Sequence, residues 1–413
     1  SLDLSNFDTS NVTRFGSMFN NSAVENIDIS SFDTSKVTDM GWMFSDSKLS
    51  KLDVSNFDTS KVTDMRAMFG SIPTNYLNLS NFNTSNVTNM SSMFYGSRVK
   101  ELDLSNFDTS KVTDMSGMFY YSKSSFIDIS SFDTSNVKNM SEMFRHSYNI
   151  KKLKLSNFNT SNVTDMSKMF YESQFEFLDL SSFDTSKVLD MSWMFSSSSI
   201  KEINGIASFN TSSVKNMQFM FRNSKLETID LSSFDTSKVT NMSAMFMGTN
   251  SKIIGLNNFN TSKVTNMNQM FSGSSSEADL SSFDTSNVTN MSNMFQNYKC
   301  TSLNLSSFDT SKVTNMSNMF YATVLAKIDL SSFDTSSVTN MSSMFYNNKN
   351  LITIYASDKF LTDNVTSSTS MFYNSTNLVG GAGTAYNRSY TDKTYARVDG
   401  GTSSPGYFTL KSR

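Results

Sequence analysis

The stretch Leu102-Asp103-Leu104-Ser105-Asn106-Phe107-Asp108-Thr109-Ser110-Lys111-Val112-Thr113-Asp114-Met115-Ser116-Gly117-Met118-Phe119 decides the fold, because the rest of the chain repeats it. As a pattern it reads L-x-L-S-x-F-[DN]-T-S-x-V-T-[DN]-M-x-x-M-F, followed by about seven looser residues. Its first Phe recurs from Phe7, Phe32, Phe57 and Phe82 through to Phe308 and Phe333, in steps of 24 to 26 residues. Self-similarity at such a period marks a solenoid, in which each turn buries its apolar side only by stacking on its neighbours.

Within one turn, the pair L-x-L (Leu52/Val54, Leu102/Leu104, Ile328/Leu330) alternates apolar and polar and predicts a parallel strand. Phe-Asp-Thr-Ser makes a corner. Val-Thr-Asp-Met, as at Val62 to Met65, predicts a second short strand, and the spacing of Met-x-x-Met-Phe predicts one turn of helix before a variable return loop. Methionine columns begin at Met40, Met65, Met90 and at Met43, Met68, Met93, each beside a recurring Phe. Methionine is adaptable enough to line a promiscuous surface, but at this spacing the columns read as core. The Met-Phe steps from Phe19 to Phe372 predict a stacked spine. Extra residues at Ser147–Lys152 and Ile203–Ile206 fall in loops, with Gly205 as a bulge.

The expected architecture is a right-handed parallel solenoid of the leucine-rich-repeat or β-solenoid class over residues 1–375. About fifteen turns at a strand spacing of ~4.8 Å would run roughly 70 Å. Residues 376–413, rich in glycine and tyrosine, read as a C-terminal cap over the last strand edge. The opening Ser1-Leu2-Asp3-Leu4 lies in mid-repeat and reads as the cut N-terminal side of a longer protein.

Several function classes are disfavoured. A net charge of −3 without a basic stripe argues against nucleic-acid binding, and no apolar run reaches the roughly 18 residues of a membrane helix. With Cys300 the only cysteine and His146 the only histidine, neither a disulfide framework nor a Ser-His-Asp or Cys-His arrangement can be assembled. The abundant carboxylates repeat in every turn, whereas an active site is a unique constellation. No catalytic residue, cofactor or metal is therefore expected.

The repeated polar columns are the candidate sites. At the corners, Asp8, Asp33, Asp58 and Asp108 alternate with Asn83 and Asn159, each followed by Thr-Ser. They read as caps for backbone groups rather than calcium ligands, since the pattern lacks the glycine such turns need. Between the two apolar strand positions stand Asp28, Asp53, Asp103, Asp128, Asp179 and Asp230, with Asn78, Lys154, Gly205, Gly255 and Asn304 assigned to the same column. This predicts an exposed acidic stripe. Unit charges ~4.8 Å apart repel by about 0.8–1 kcal/mol even in water, so the stripe is expected to hold protons above the usual Asp pKa of about 3.9. A lysine column (Lys36, Lys61, Lys111, Lys187, Lys238, Lys263, Lys312) reads as a solvated face, or as a docking strip for anionic glycans. Tyr95, Tyr120, Tyr171, Tyr321 and Tyr346 follow Met-Phe, where they either stack on sugar rings or cover the edge of the spine. Asn-Val-Thr at Asn11, Asn86, Asn162 and Asn287 is a by-product of the repeat rather than a glycosylation signal.

The eighteen-residue unit Leu102–Phe119 resembles the repeat of the BspA-type leucine-rich-repeat surface proteins of bacteria, known from lactobacilli and streptococci, with related units in mycoplasma lipoproteins. The resemblance covers about residues 1–375, and Tyr395–Phe408 is similar to the tails of lactobacillus members. The family often carries Cys in the loop after Met-Phe, where this chain has Ser97 and Ser122. The resemblance implies a secreted, cell-wall-attached adhesin for host mucin, another glycoprotein, matrix or other bacteria, with no catalytic residues. The Asp stripe and the tyrosines are then the candidate contacts, adding by multivalency and binding more strongly in acid, where lost carboxylate charge removes repulsion from sialylated or sulfated mucin. The alternative is a passive stalk that projects another domain from the cell wall.

Overall fold

In the computed structural model, which describes residues 1–150 and 152–411, the chain is a parallel β-solenoid of about 14 turns of about 25 residues with almost no helix. It divides into two compact units, Ser1–Phe209 and Asn210–Arg413. The first holds β1 (Leu2–Asp3), β2 (Ile27–Asp28), β3 (Glu101–Asp103), β4 (Phe126–Asp128), β5 (Phe177–Asp179) and β6 (Glu202–Asn204), paired in parallel as β1–β2, β3–β4 and β5–β6. The second holds β7 (Thr228–Asp230) paired with β8 (Lys252–Ile254), and a parallel sheet in which β10 (Thr353–Ala356) lies between β9 (Lys327–Leu330) and β11 (Phe408–Leu410). The strands are short because each spans little more than one alternation. In β3, Leu102 points into the stack while Glu101 and Asp103 are exposed.

Val-Thr-Asp-Met forms a ladder of single parallel bridges, running from Arg14↔Asp39 through Asp165↔Asp190 in the first unit and from Asn216↔Asn241 through Asn340↔Ser367 in the second. The predicted helical turn at Met-x-x-Met-Phe does not form. Among the described residues the only helices are four three-residue 3-10 turns, none of them in this segment. Instead the amides alternate in direction. Met43, Ser45 and Ser47 donate three residues back, to Met40, Trp42 and Phe44, while Trp42, Phe44 and Asp46 donate to Arg66, Met68 and Gly70 of the next turn. Half of the donors that a helix would need thus serve the stack. The geometry requires left-handed backbone at two columns, Ser17, Trp42, Ala67 and Ser92 in one, Asn21, Asp46, Ser71 and Tyr121 in the other. Non-glycine residues pay roughly 1–2 kcal/mol for that conformation, which the inter-turn bonds offset.

The core is the predicted spine. Met40, Met43 and Phe44 and their equivalents Met115, Met118 and Phe119 are completely buried. Phe19, Phe44, Phe69, Phe94 and Phe119 stack in sequence with ring centroids 5.8–6.0 Å apart. In the second unit Phe221, Phe246, Phe271 and Phe295 do the same at 5.5–6.0 Å. Each fully buried Phe or Met contributes about 1.5–3 kcal/mol relative to an exposed one.

Two glycines correct the strand register. Asn204, not Gly205, lies opposite Asp179, and Ile254, not Gly255, lies opposite Asp230. Gly205 and Gly255, at φ 90° and 88°, come one residue later and start the 3-10 turns Ile206–Ser208 and Leu256–Asn258. These turns return Ile206 and Leu256 to the core. A Cβ on Gly205 would stand 2.6 Å from the Ser181 amide nitrogen. The other extra residue falls in 147–152, where Lys151 lies outside the described residues. After the last Met-Phe step the tail folds onto the stack: β11 adds to β10, and Tyr407 and Phe408 are fully buried.

Candidate functional site

The strand-centre aspartates all use one oxygen to end their strands. Oδ1 of Asp28, Asp53, Asp103, Asp128, Asp179 and Asp230 accepts the amide of the serine two residues on, at 2.9–3.0 Å. At Asp103, Asp128, Asp179 and Asp230 the same serine's hydroxyl adds a bond of 2.6 Å. This is the Asx-turn chemistry that favours Asp after an extended segment. It also overturns the expected proton affinity of the stripe. The serine hydroxyl, then the serine amide, holds the carboxyls of Asp28, Asp53, Asp103, Asp179 and Asp230 below the ordinary value of 3.8. At Asp28 the neighbouring Asp3 is the weakest of the influences. Donors held at bonding distance act directly on the charged form, whereas repulsion between exposed carboxylates is diluted by water.

The corner residues cap the backbone as their chemistry suggests. Asp58 Oδ1 accepts the Ser60 amide at 2.9 Å, and the Thr59 hydroxyl donates to the Asn83 carbonyl at 2.9 Å while accepting the Asn83 amide at 2.8 Å. In the lysine column, Lys36, Lys111, Lys187 and Lys312 each donate to the asparagine one turn earlier, Asn11, Asn86, Asn162 and Asn287, at 2.6–2.9 Å. Among the described residues no group of three or more His, Cys, Asp or Glu could hold a metal ion.

The tyrosines belong to the left-handed turn ladder rather than the strand ladder, so Asp and Tyr candidates are not brought together. Tyr95, Tyr120, Tyr171, Tyr321 and Tyr346 are all half-buried. Tyr95 donates to Asp46 and lies edge-on to Trp42. Arg145 sits over both Tyr120 and Tyr171, at 4.9 and 5.2 Å from the ring centroids, and Tyr171 meets Trp193 edge-on. Tyr321 and Tyr346 stack with centroids 4.8 Å apart. His146 joins the Arg145 group, against Tyr120 and Tyr171, and bonds Tyr148 (2.6 Å) and Glu172 (3.0 Å); burial lowers its pKa against the pull of Glu172. The rings pack chiefly on one another and on cations.

Three exposed rings stand elsewhere. Tyr76, Phe126 and Phe177 are 74%, 54% and 52% exposed and stand on the strand face, two residues before Asn78, Asp128 and Asp179. Attention to the residue between the two apolar positions misses them. The signal is the residue before the pair, in Tyr-Leu-Asn-Leu, Phe-Ile-Asp-Ile and Phe-Leu-Asp-Leu, which a period of two turns to the same side. Shallow grooves follow this face. One of about 440 Å³ is lined by Tyr76, Asn78, Lys100, Glu101 and Asp103 among others, and one of about 540 Å³ by Phe126, Asp128, Lys152, Lys154 and Asn157. Neither Lys152 nor Lys154 makes an ion pair with a described residue.

A family model described as "Mycoplasma protein of unknown function, DUF285" matches the chain four times, over residues 1–103, 97–204, 172–279 and 274–386. No curated protein and no solved structure matches it.

Proposed function

We propose, for a chain that belongs to the DUF285 family, the role of a bacterial cell-surface adhesin that binds host mucin, another glycoprotein or matrix through its repeated strand face. The finer assignment, to the BspA-type leucine-rich-repeat surface proteins, rests on the recurring Leu-Asp-Leu-Ser-Asn-Phe-Asp-Thr-Ser unit, and the extracellular, wall-attached location follows from it.

One observation carries the reading. In a stack that buries nearly all its large apolar side chains, Tyr76, Phe126 and Phe177 stand in solvent on one face beside carboxylate or carboxamide groups. Rings that stand exposed on alternate turns of one column offer a row of apolar faces with polar neighbours, the kind of surface on which aromatic residues serve recognition, and a passive stalk has no use for them. Shallow grooves and repeated short side chains suit many weak contacts that add along an extended ligand. Acid strengthening through the Asp stripe loses its basis, because the carboxyls of Asp28, Asp53, Asp103, Asp179 and Asp230 are held below their ordinary pKa.

The test is retention of the full chain on immobilised mucin at pH 7, 5.5 and 4, with and without added salt. Saturable binding, weakened when Phe126 and Phe177 become alanine, is the expected result. Absence of binding at every pH would leave the stalk as the better reading.

A further inference from the structure

We propose that the strand face of the first unit binds an uncharged, extended β-linked glycan chain, with alternate sugar rings stacked on Tyr76, Phe126 and Phe177. This rests on the adhesion reading and names the ligand class.

The column preceding L-x-L reads Lys51, Tyr76, Glu101, Phe126, Lys152, Phe177, Glu202, with an aromatic ring on every second turn. The turns are in register from Asn75 to Asp128 and again from Phe177 to Asn204. The Asn75 carbonyl accepts the Lys100 amide at 3.2 Å and the Lys100 carbonyl accepts the Ser125 amide at 2.8 Å. Glu101 pairs with Phe126, and Phe177 with Glu202. Two strand spacings put successive rings about 10 Å apart. That step is the length of two pyranose rings in an extended β-linked chain, whose alternate rings present the same face. An extended peptide repeats a face every ~6.8 Å and does not match.

The polar groups fit hydroxyls. Asp128 and Asp179 engage Oδ1 with serine, and Asp179 also takes the Asn204 amide there, which leaves Oδ2 of each to accept. Asn78 engages its oxygen with the Ser80 amide, leaving its NH₂ group to donate. Charge selects against polyanions. The outward strand positions from Tyr76 to Asn204 carry Glu101, Asp103, Asp128, Asp179 and Glu202 against Lys152 and Lys154, with Lys100 also lining the groove beside Tyr76.

The experiment is calorimetric titration of the full chain with β-1,4-linked N-acetylglucosamine oligomers of two, four and six sugars. A hyaluronan hexasaccharide serves as the charged counterpart, with immobilised mucin in parallel. Three rings span about 19 Å, four strand spacings, so affinity should climb at least about ten-fold from dimer to hexamer. The hyaluronan hexamer should bind at least about ten-fold more weakly. Phe126→Ala and Phe177→Ala should each cost the neutral hexamer about five-fold or more, while Tyr121→Ala, exposed on the other ladder, should cost nothing. Superimposable melting curves for the variants would show that folding is intact. Mucin binding without binding of the neutral hexamer overturns this inference and leaves the adhesin. Loss of both overturns both. Hexamer binding indifferent to Phe126→Ala and Phe177→Ala, or matched by hyaluronan, also overturns it.

Discussion

The Thr34 hydroxyl closes two bonds between consecutive turns, donating to the Asp58 carbonyl at 2.9 Å and accepting the Asp58 amide at 2.7 Å. One small side chain, 2% exposed, satisfies both backbone polar groups of a residue outside any strand. Thr34→Val keeps the shape and removes the oxygen, orphaning a part-buried donor and acceptor. The expected loss is about 1–3 kcal/mol, read as a lower urea midpoint at unchanged slope, with Thr34→Ser retaining most of the stability.

The strand-end aspartates make stability acid-sensitive in a defined direction. Asp28, Asp53, Asp103, Asp179 and Asp230 have folded pKa values below their ordinary 3.8. Their contribution is therefore complete above about pH 4 and is lost as pH falls through the lowered values. The melting temperature should decline slightly below about pH 6.5, where His146 must charge against its lowered pKa, and drop steeply only below 4. A drop already complete at pH 5 would contradict the serine-bonded carboxylates.

Asp399 ties the tail together. It accepts the amides of Ala382, Thr384 and Gly401, each at 2.9 Å, and the Thr384 hydroxyl at 2.7 Å. Burial opposes its ionisation, yet these donors outweigh it and hold the pKa at about 2. Asp399→Asn should speed amide exchange at Ala382, Thr384 and Gly401 while leaving the turns around Phe119 protected.

The left-handed columns predict substitutions of opposite sign. Ala322, at φ 49°, carries a Cβ where glycine would be at ease, so Ala322→Gly should stabilise by up to about 1 kcal/mol. Gly205→Ala meets the Ser181 backbone and should cost more than about 1 kcal/mol. In the spine, Phe119→Ala opens a cavity between stacked rings and should cost about 3–5 kcal/mol. Thermal and urea midpoints check all three.

The period, the buried Met-Phe spine and the corner caps were legible because each is a column, and a column of identical residues at a fixed step has few packings open to it. Phe44 and Phe119 could only stack. The Met-x-x-Met-Phe backbone was not legible, since spacing of three and four fits a helix and a ladder of left-handed turns alike; only the amides of Trp42 and Phe44, spent on Arg66 and Met68, separate them. Gly205 and Gly255 misled the register because glycine has no side chain to declare a face. Tyr76, Phe126 and Phe177 were visible by period but fall at the least uniform strand position, where a reading drawn to regular columns does not look. The proton affinity of Asp28, Asp53, Asp103, Asp179 and Asp230 is set by the serine donors two residues along the chain, which the spacing of like charges does not reveal.

The alternating amides of the turn ladder also have a mechanical meaning. Every bond from Trp42, Phe44 or Asp46 runs to the adjacent turn, so a pull on the end of a unit loads only the outermost turn. Under tension such a stack unwinds one coil at a time. Each released coil of about 25 residues pays out about 80–90 Å of chain, and a molecule held at both ends in flowing fluid would lengthen in even steps, a sawtooth that force spectroscopy would record.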